Sequence, residues 1–297
     1  MRKDWIREGA FRVVCLLAGA LLAVSACARE TSPGIETPPG SAVTADGSAA
    51  EWLAKAVAKA EEMDRYAFVL QMDQKLSATN DNEHSDVRID MQGRVEREPF
   101  KLDQTIDSAI DEEKSTVRAI LTHEAYYMYL PEFEEWSKLS REVAEENLAT
   151  LSDLQANPER AIGRIAELGA GLRAEREGSA VVVRYEGAGE QAKPFVADLL
   201  RSTLGIPEGE SDIANSLEVD SLSVYFKMDA ERDWPLAYRL ESDLVIELEP
   251  GLKTNIRQTV SGTYAKPNET EPIVVPEEAL NAPDPAEIGD ILNPGGE

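Results

Sequence analysis

The sequence predicts an α+β fold in which a curved antiparallel sheet, an open half-barrel, carries helices packed on its concave face. Three observations favour this fold. Several segments alternate apolar and polar residues with a period of two, others repeat apolar residues at helical spacing, and the longest alternating segments follow one another in the C-terminal third. Long consecutive strands with one apolar face form an antiparallel sheet covered on one side. Such a sheet curls, and helices must cover its apolar face.

The N-terminus has the features of a lipoprotein signal peptide. A basic start precedes an uncharged apolar run over residues 13–24, about half the length that spans a bilayer. The run leads into Val24–Cys27, VSAC, which resembles a bacterial lipobox. The resemblance implies that residues 1–26 are removed and that Cys27 carries a diacylglyceryl anchor. An ordinary secretory signal with a cysteine near its end by chance is the alternative.

The anchor predicts a protein held at the extracytoplasmic face of the cell membrane. Residues 27–48 and 282–297 are rich in proline and glycine and have no periodicity. We therefore expect a flexible tether in the first segment and a disordered tail in the second. The folded domain is expected over residues 49–281.

Within this domain, periodicity predicts a helix over residues 49–64 and then strands on either side of a turn at Glu98-Pro99. Further expected strands lie near 117–121 and 127–129. The middle is expected to be helical, with one apolar stripe over 143–154, a helix capped by Asn157 before Pro158, and a stop at Gly169. After a strand at 181–185 and a helix at 195–200, three strands follow at 221–228, 236–248 and 252–264.

This order of elements resembles the LolA/LppX-like lipoprotein fold, and more closely a group of uncharacterised Gram-positive lipoproteins of that shape. The local likeness lies in residues 60–66, 126–138 and 273–281. The resemblance implies the fold and the location. It suggests a lipophilic ligand and implies no activity, because that group has none established.

Charge excludes several classes of partner. The formal net charge is −26, with 30 Lys+Arg against 56 Asp+Glu. Nucleic-acid binding needs a basic face, and adhesion to anionic lipid needs basic clusters, so neither is expected. Two cysteines and two histidines leave little for a zinc site. We expect no metal and no cofactor.

No group of residues predicts catalysis. His84 with Asp81 and Asp86 could hold a metal, but a solvated hairpin loop explains this polar cluster better. His123 is expected in a turn. The glutamates of residues 132–135 could form a glycosidase pair, but a solvated acidic loop is favoured. The sequence therefore predicts a protein that is not an enzyme.

The apolar strand faces are the feature suited to a ligand. The candidate ligand-facing residues are Val224, Phe226, Leu240, Leu244 and Ile246. Our first hypothesis is a non-catalytic binder or carrier of a lipophilic small molecule, held between the sheet and its helices. The alternative is a structural or protein-interaction module of the cell envelope, with a filled core and no small ligand. The sequence does not name the ligand or a protein partner.

Overall fold

A computed structural model describes residues 43–78, 84–204, 215–249 and 251–284. It confirms the predicted fold class, an α+β protein with one large, open antiparallel sheet. The signal peptide, Cys27 and most of the expected tether fall in residues 1–42, outside the described residues. The same holds for residues 285–297 of the expected tail and for Asp81.

The sheet contains twelve strands among the described residues. They are β1 (Val43–Thr44), β2 (Arg65–Ala78), β3 (His84–Arg97), β4 (Phe100–Ile110), β5 (Glu113–Thr122), β6 (Tyr126–Leu130), β7 (Glu135–Leu139), β8 (Arg173–Glu177), β9 (Ala180–Gly187), β10 (Glu218–Asp229), β11 (Pro235–Glu249) and β12 (Leu252–Ala265). Their order is β1-β8-β9-β10-β11-β12-β2-β3-β4-β5-β6-β7, so β1 and β7 are the edges. Because β12 pairs with β2, the last strand and the first long strand lie side by side in mid-sheet.

Six α-helices accompany the sheet in the described residues. They are α1 (Ala49–Glu61), α2 (Arg141–Thr150), α3 (Asp153–Ala156), α4 (Pro158–Ala166), α5 (Gly189–Leu204) and α6 (Glu277–Leu280). Helix α1 begins with a capping box, in which Ser48 Oγ accepts from the Glu51 N–H and the Ser48 N–H donates to Glu51 Oε2. It ends three residues before the predicted residue 64, since the backbone N–H groups of Asp64 and Arg65 donate to Asn268 Oδ1 instead.

The helical middle departs from prediction in two places. The single stripe expected over 143–154 is two helices, because Leu151 adopts an extended conformation after α2 and Ser152 caps α3 by accepting from the Leu154 N–H. Asn157 precedes α4 as expected, but its side chain makes no cap hydrogen bond. It donates to Asp153 Oδ1 instead, at 2.8 Å.

The main core lies between the concave face and the helices. Helix α1 packs on α4, and Leu53, Ala56 and Ala60 of α1 are fully buried. Helix α5 packs on β10. Val43 and Thr44, assigned to the tether from sequence, pair with β8, and Ala45 is buried.

A second, smaller core lies on the outer face under the C-terminal segment, residues 266–284. Its members are Ile120, Ala125, Tyr127, Ile273 and Ala279. The segment is fastened to the sheet by Arg94 Nη1, which donates to the Glu271 carbonyl, and by the Lys138 N–H, which donates to the Pro283 carbonyl. The C-terminal segment therefore covers part of the outer face and of the β7 edge.

Candidate functional site

All five predicted ligand-facing residues lie on the concave face, and each is at most 2% exposed. Val224 of β10 and Leu240 of β11 are direct cross-strand partners. We define the upper end of the sheet as the end that contains Tyr66 and Tyr264. Phe226 is the next inward-facing residue of β10 after Val224, towards this upper end. The other two, Leu244 and Ile246, lie towards the lower end, defined by Ile246 and Thr254. The structure thus brings the five into one apolar surface.

The strand register arranges the inward side chains in rows across the sheet. The row through Leu240 is apolar and consists of Val224, Leu240, Val260, Met72 and Ile89. The row that follows towards the lower end consists of Leu222, Ser242, Gln258, Gln74 and Val87. We call Ser242, Gln258 and Gln74 the polar row. It crosses three adjacent strands in the middle of the candidate surface.

The polar row is buried and partly bonded. Its three side chains are 3%, 1% and 2% exposed in the order given. Gln74 Nε2 donates to Gln258 Oε1 at 3.2 Å. Thr203 Oγ1 of α5, which donates to the Leu199 carbonyl at 3.1 Å, lies 3.4 Å from the same Gln258 oxygen. The row therefore connects the sheet to the end of α5.

Two atoms of the polar row have no hydrogen-bond partner, namely Gln258 Nε2 and Ser242 Oγ. Thr254 Oγ1, also buried, lacks a partner too. Thr254 precedes Gln258 by four residues on β12, so it lies about 13 Å away along the strand. A buried polar group without a partner costs roughly 1–3 kcal/mol. Such atoms in a native core are explained by water or by a ligand that the group is meant to bind.

Helix α3 closes the upper part of the concave face. Tyr66 Oη donates to the Gln155 carbonyl at 2.8 Å, and Tyr264 Oη donates to the Leu154 carbonyl at 2.6 Å. The Gln155 side chain also donates to Gln104 Oε1. These bonds satisfy carbonyls of α3 that its single turn leaves free. They fix the helix against strands β12, β2 and β4.

The tyrosines that hold α3 form a buried aromatic group with Tyr238. The ring centroids of Tyr66 and Tyr264 are 6.1 Å apart, and those of Tyr238 and Tyr264 are 5.6 Å apart. Burial raises the pKa of Tyr66, Tyr238 and Tyr264 above the ordinary value, because it disfavours the phenolate. Tyr66 and Tyr264 act as neutral donors, which is a structural use of the hydroxyl group.

The outer face carries a half-open depression of about 500 Å³. It is lined by Glu186, Gly187, Ser221, Leu222, Ser223, Glu241, Ser242, Asp243, Arg257, Gln258 and Thr259. Arg257 Nε lies 2.6 Å from Asp243 Oδ1, and Ser221 Oγ donates to Asp243 Oδ2. The central carboxylate is therefore already paired, and nothing in this depression indicates a reaction.

The structure separates the predicted metal and acidic candidates. His84 begins β3, opposite Ser77, rather than lying in the loop, and Asp86 lies two residues further along the same strand. His123 lies in the connection between β5 and β6, as predicted. Among residues 43–78, 84–204, 215–249 and 251–284, no three His, Cys, Asp or Glu side chains are grouped as metal ligands would be.

The acidic stretch before Trp136 forms the connection between β6 and β7. Glu132 and Glu134 are exposed in this turn, and Glu135 is the exposed first residue of β7. Glu134 adopts a positive φ of 53°. This is the solvated acidic loop that the sequence analysis favoured.

The family of the chain follows from a match over residues 48–284 to a family of unknown function, DUF6612. The chain belongs to this family. The prediction of an uncharacterised family is therefore confirmed, whereas the lipoprotein assignment and the likeness to LolA/LppX remain predictions. The comparison with curated proteins gives no match.

Solved structures similar to this chain share little sequence with it. One is a β-barrel-like protein of a domain of unknown function, DUF1849, from Brucella abortus, with 8% identity, 67% of this chain and 98% of the other covered, and a TM-score of 0.24. Another is lipovitellin, from a study of lipid–protein interactions, with 8% identity, coverage of 73% and 26%, and a TM-score of 0.30. The ywiB protein from Bacillus subtilis matches with 8% identity, coverage of 67% and 93%, and a TM-score of 0.17. Such low TM-scores carry no inference about function.

The sequence analysis missed the polar row, although a signal for it was present. Ser242 lies at an inward-facing position of its strand, between Leu240 and Leu244. Gln258 lies at such a position between Ile256 and Val260. A polar residue at an inward position of an apolar strand face marks a buried polar group. That the two residues are neighbours follows only from the β11–β12 register.

In the described part of the chain, no helix is both long and apolar enough to cross a bilayer.

Proposed function

We propose that the protein is a membrane-anchored extracytoplasmic lipoprotein that binds or carries a lipophilic ligand without catalysis. The observation that carries the proposal is the concave face below α3. There an apolar surface of the open sheet is covered by a separate helix, α5, which packs on β10. Thr203 of α5 also lies beside Gln258 of β12, and Asp198 of α5 pairs with Arg164 of α4. Opening the face would need a small shear of α5, which is a common motion of packed helices. Acyl chains could then lie against the rows around Leu240.

The anchor is the second part of the proposal. Cys27 would bear a diacylglyceryl group, and residues after it would tether the domain to the outer surface of the cell membrane. The acidic excess, a net charge of −26 over the whole chain, would keep the domain soluble and repel it from anionic lipid. Binding of this kind needs no catalytic residue, and the proposal assigns none.

The alternative is an interaction module of the envelope with a filled core. The closure of the upper concave face by α3 favours it, since Tyr66 and Tyr264 hold that helix through its carbonyls. In this case function would lie on the acidic outer surface, and charge reversal at Glu134 and Glu135 would reduce capture of a protein partner. Ligand uptake would be absent.

The test is uptake of a fluorescent diacylglycerol, a neutral lipid, by the full-length chain in detergent micelles, compared with Leu240→Trp. The larger side chain occupies the apolar surface next to Val224, its cross-strand partner, and is expected to reduce uptake at least tenfold. Because Leu240 is buried, far-UV circular dichroism and urea unfolding must show that the variant is folded before its uptake is compared. Phe133→Trp is the matched control, because Phe133 is exposed in the turn between β6 and β7. Equal uptake by all three proteins would refute the concave-face site.

A further inference from the structure

The unpaired atoms of the polar row specify what kind of group could complete it. Gln258 Nε2 is a donor only, and its two N–H groups find no acceptor. Gln258 Oε1 accepts from Gln74 Nε2, so Nε2 is the end of the Gln258 amide that has no partner. Ser242 Oγ can also donate. The row therefore lacks an acceptor rather than a donor.

The two donors lie close enough to share one acceptor. Ser242 and Gln258 are direct cross-strand partners, so their Cβ atoms are about 5 Å apart and point to the same face. A single carbonyl oxygen has two lone pairs and accepts two hydrogen bonds. One carbonyl placed above this pair would satisfy both unpaired groups.

The surroundings decide the charge of that acceptor. The inward residues on one side of the row are Val224, Leu240, Val260 and Met72, and those on the other side are Leu244, Ile256 and Leu76. No cation faces the row from these positions of the described sheet. Burying an ionised carboxylate without a partner charge is very costly. A neutral carbonyl fits the site, and an ionised fatty acid does not.

We infer that the polar row is the binding site for the ester carbonyl of a neutral acyl lipid, with its chains lying on the apolar rows to either side. This inference rests on the proposed function, and it names the ligand class. A site built to hydrogen-bond a polar group rejects an analogue that lacks the group, because its buried donors are then left unpaired. Ester recognition is thus the property to measure.

The experiment offers the full-length chain, in detergent micelles, equal amounts of dioleoylglycerol and of the dialkyl ether glycerol with the same chains. Native mass spectrometry then counts each bound lipid. The ether keeps the apolar chains and the hydroxyl group but has no carbonyl. We expect the ester to be preferred at least tenfold, since one hydrogen bond is worth about that factor.

Ser242→Ala is the decisive variant and Thr254→Val is its matched control. Ser242 Oγ has no hydrogen-bond partner in the protein, so its removal breaks no hydrogen bond and the fold should persist. We expect the ester preference to fall about tenfold. Thr254→Val also removes a buried unpaired hydroxyl group, but about 13 Å from Gln258, and should leave the preference unchanged. Gln258→Met is less suitable, because it also deprives Gln74 Nε2 of its acceptor.

The outcomes separate this inference from the proposed function. Uptake of both lipids to the same extent, unaffected by Ser242→Ala, would overturn the ester site and leave a lipophilic binder. An equal loss of preference in Thr254→Val would also overturn it, because the effect would not be local. If neither lipid binds, both the inference and the proposed function are wrong.

Discussion

Buried polar side chains serve two different purposes on the concave face. Tyr66 and Tyr264 reach the carbonyls of α3, and each hydroxyl has its partner. Ser242 and Gln258 retain unpaired atoms in an equally buried position. A paired buried group stabilises the fold, whereas an unpaired one reduces its stability until something binds. This difference distinguishes the structural end of the face from the candidate site.

The bond from Tyr264 to α3 predicts a loss of stability on its removal. Tyr264→Phe leaves the Leu154 carbonyl buried without its donor, so the free energy of unfolding should fall by about 1–3 kcal/mol. Urea unfolding measures this value. Tyr129→Phe is the control, because Tyr129 is only half-buried on the outer face, and it should change stability by less than about 0.5 kcal/mol. Equal losses in the two variants would contradict a specific role of Tyr264.

The same tyrosines predict a loss of stability in alkali. Burial raises the pKa of Tyr66, Tyr238 and Tyr264 in the folded state, while the unfolded chain keeps values near 10. Above about pH 10 the unfolded state releases protons that the folded state retains, so stability is intact below that pH and falls as the pH rises.

Two measurements follow this alkaline transition. Tyrosinate absorbance should show that these three phenols titrate only as the far-UV circular dichroism signal is lost. Tyr264→Phe should reduce the steepness of the stability loss, because one such group is gone. If all eight tyrosines titrate near pH 10 in a protein that stays folded, this account of the buried group is wrong.

Residue identities predicted the five apolar candidates, and the structure places all of them on the concave face. The unpaired atoms of the polar row could not be predicted in the same way. Whether Gln258 Nε2 has a partner depends on which strands flank β12 and in which register. The neighbour on one side, β2, lies about 180 residues earlier in the chain. Periodicity within one strand contains no information about such a pair.

At the scale of elements, the sheet requires close approach at a few glycines. Gly262 of β12 lies beside Tyr238, and a Cβ atom there would collide with Tyr238 Oη and with the Val69 carbonyl of the adjacent strand. A backbone neighbour cannot move aside cheaply. The glycine is therefore needed for the packing of β11, β12 and β2 around the aromatic group.

This geometry predicts opposite effects for two glycine substitutions. Gly262→Ala should lower the free energy of unfolding by about 1–3 kcal/mol through overpacking. Gly163→Ala, within α4, meets nothing within 4 Å and should raise it by roughly 0.5–1 kcal/mol, because alanine favours the helix. Thermal and urea unfolding of both variants measure the effects. A destabilised Gly163→Ala or an unaffected Gly262→Ala would contradict the packing described.

Helices and strands were predictable where a regular apolar pattern extended over many residues. The strands β10, β11 and β12 and the helix α5 lie where alternation and helical spacing indicated. The break between α2 and α3 was missed, because Ser152 can cap a helix or sit within one and the apolar spacing continues through it. The strand pairing of Val43–Thr44 was missed because a strand of two residues is too short to show an alternation of apolar and polar residues.

For the whole molecule, the fold class was predictable from the sequence. Which segment of the chain covers the outer face of the sheet was not. One apolar face per strand predicts an open sheet with helices on one side. The C-terminal segment was expected within the domain, but nothing in its sequence indicates that it crosses the outer face to cover Ile120 and Tyr127. This covering depends on contacts about 150 residues apart in the chain.

The proposed anchor on Cys27 predicts the location of the molecule. Cys27→Ala should abolish labelling of the protein by radioactive palmitate and leave it with its signal peptide uncleaved, because a thiol is required for the thioether bond. Immunoblots of labelled cells measure both effects. Cys15→Ala is the control, since Cys15 lies within the apolar run and should be irrelevant. Labelling that survives in Cys27→Ala, or is absent from the unaltered protein, would refute the lipoprotein assignment.

The most direct test of the central claim is native mass spectrometry of the full-length chain purified from its native cells, followed by organic extraction. The proposed function predicts a discrete mass beyond that of the chain and its covalent anchor, which extracts as a neutral acyl lipid. A bare chain, with no lipid in the extract and no uptake of added dioleoylglycerol, would contradict a lipophilic binder. That result would support the filled-core interaction module.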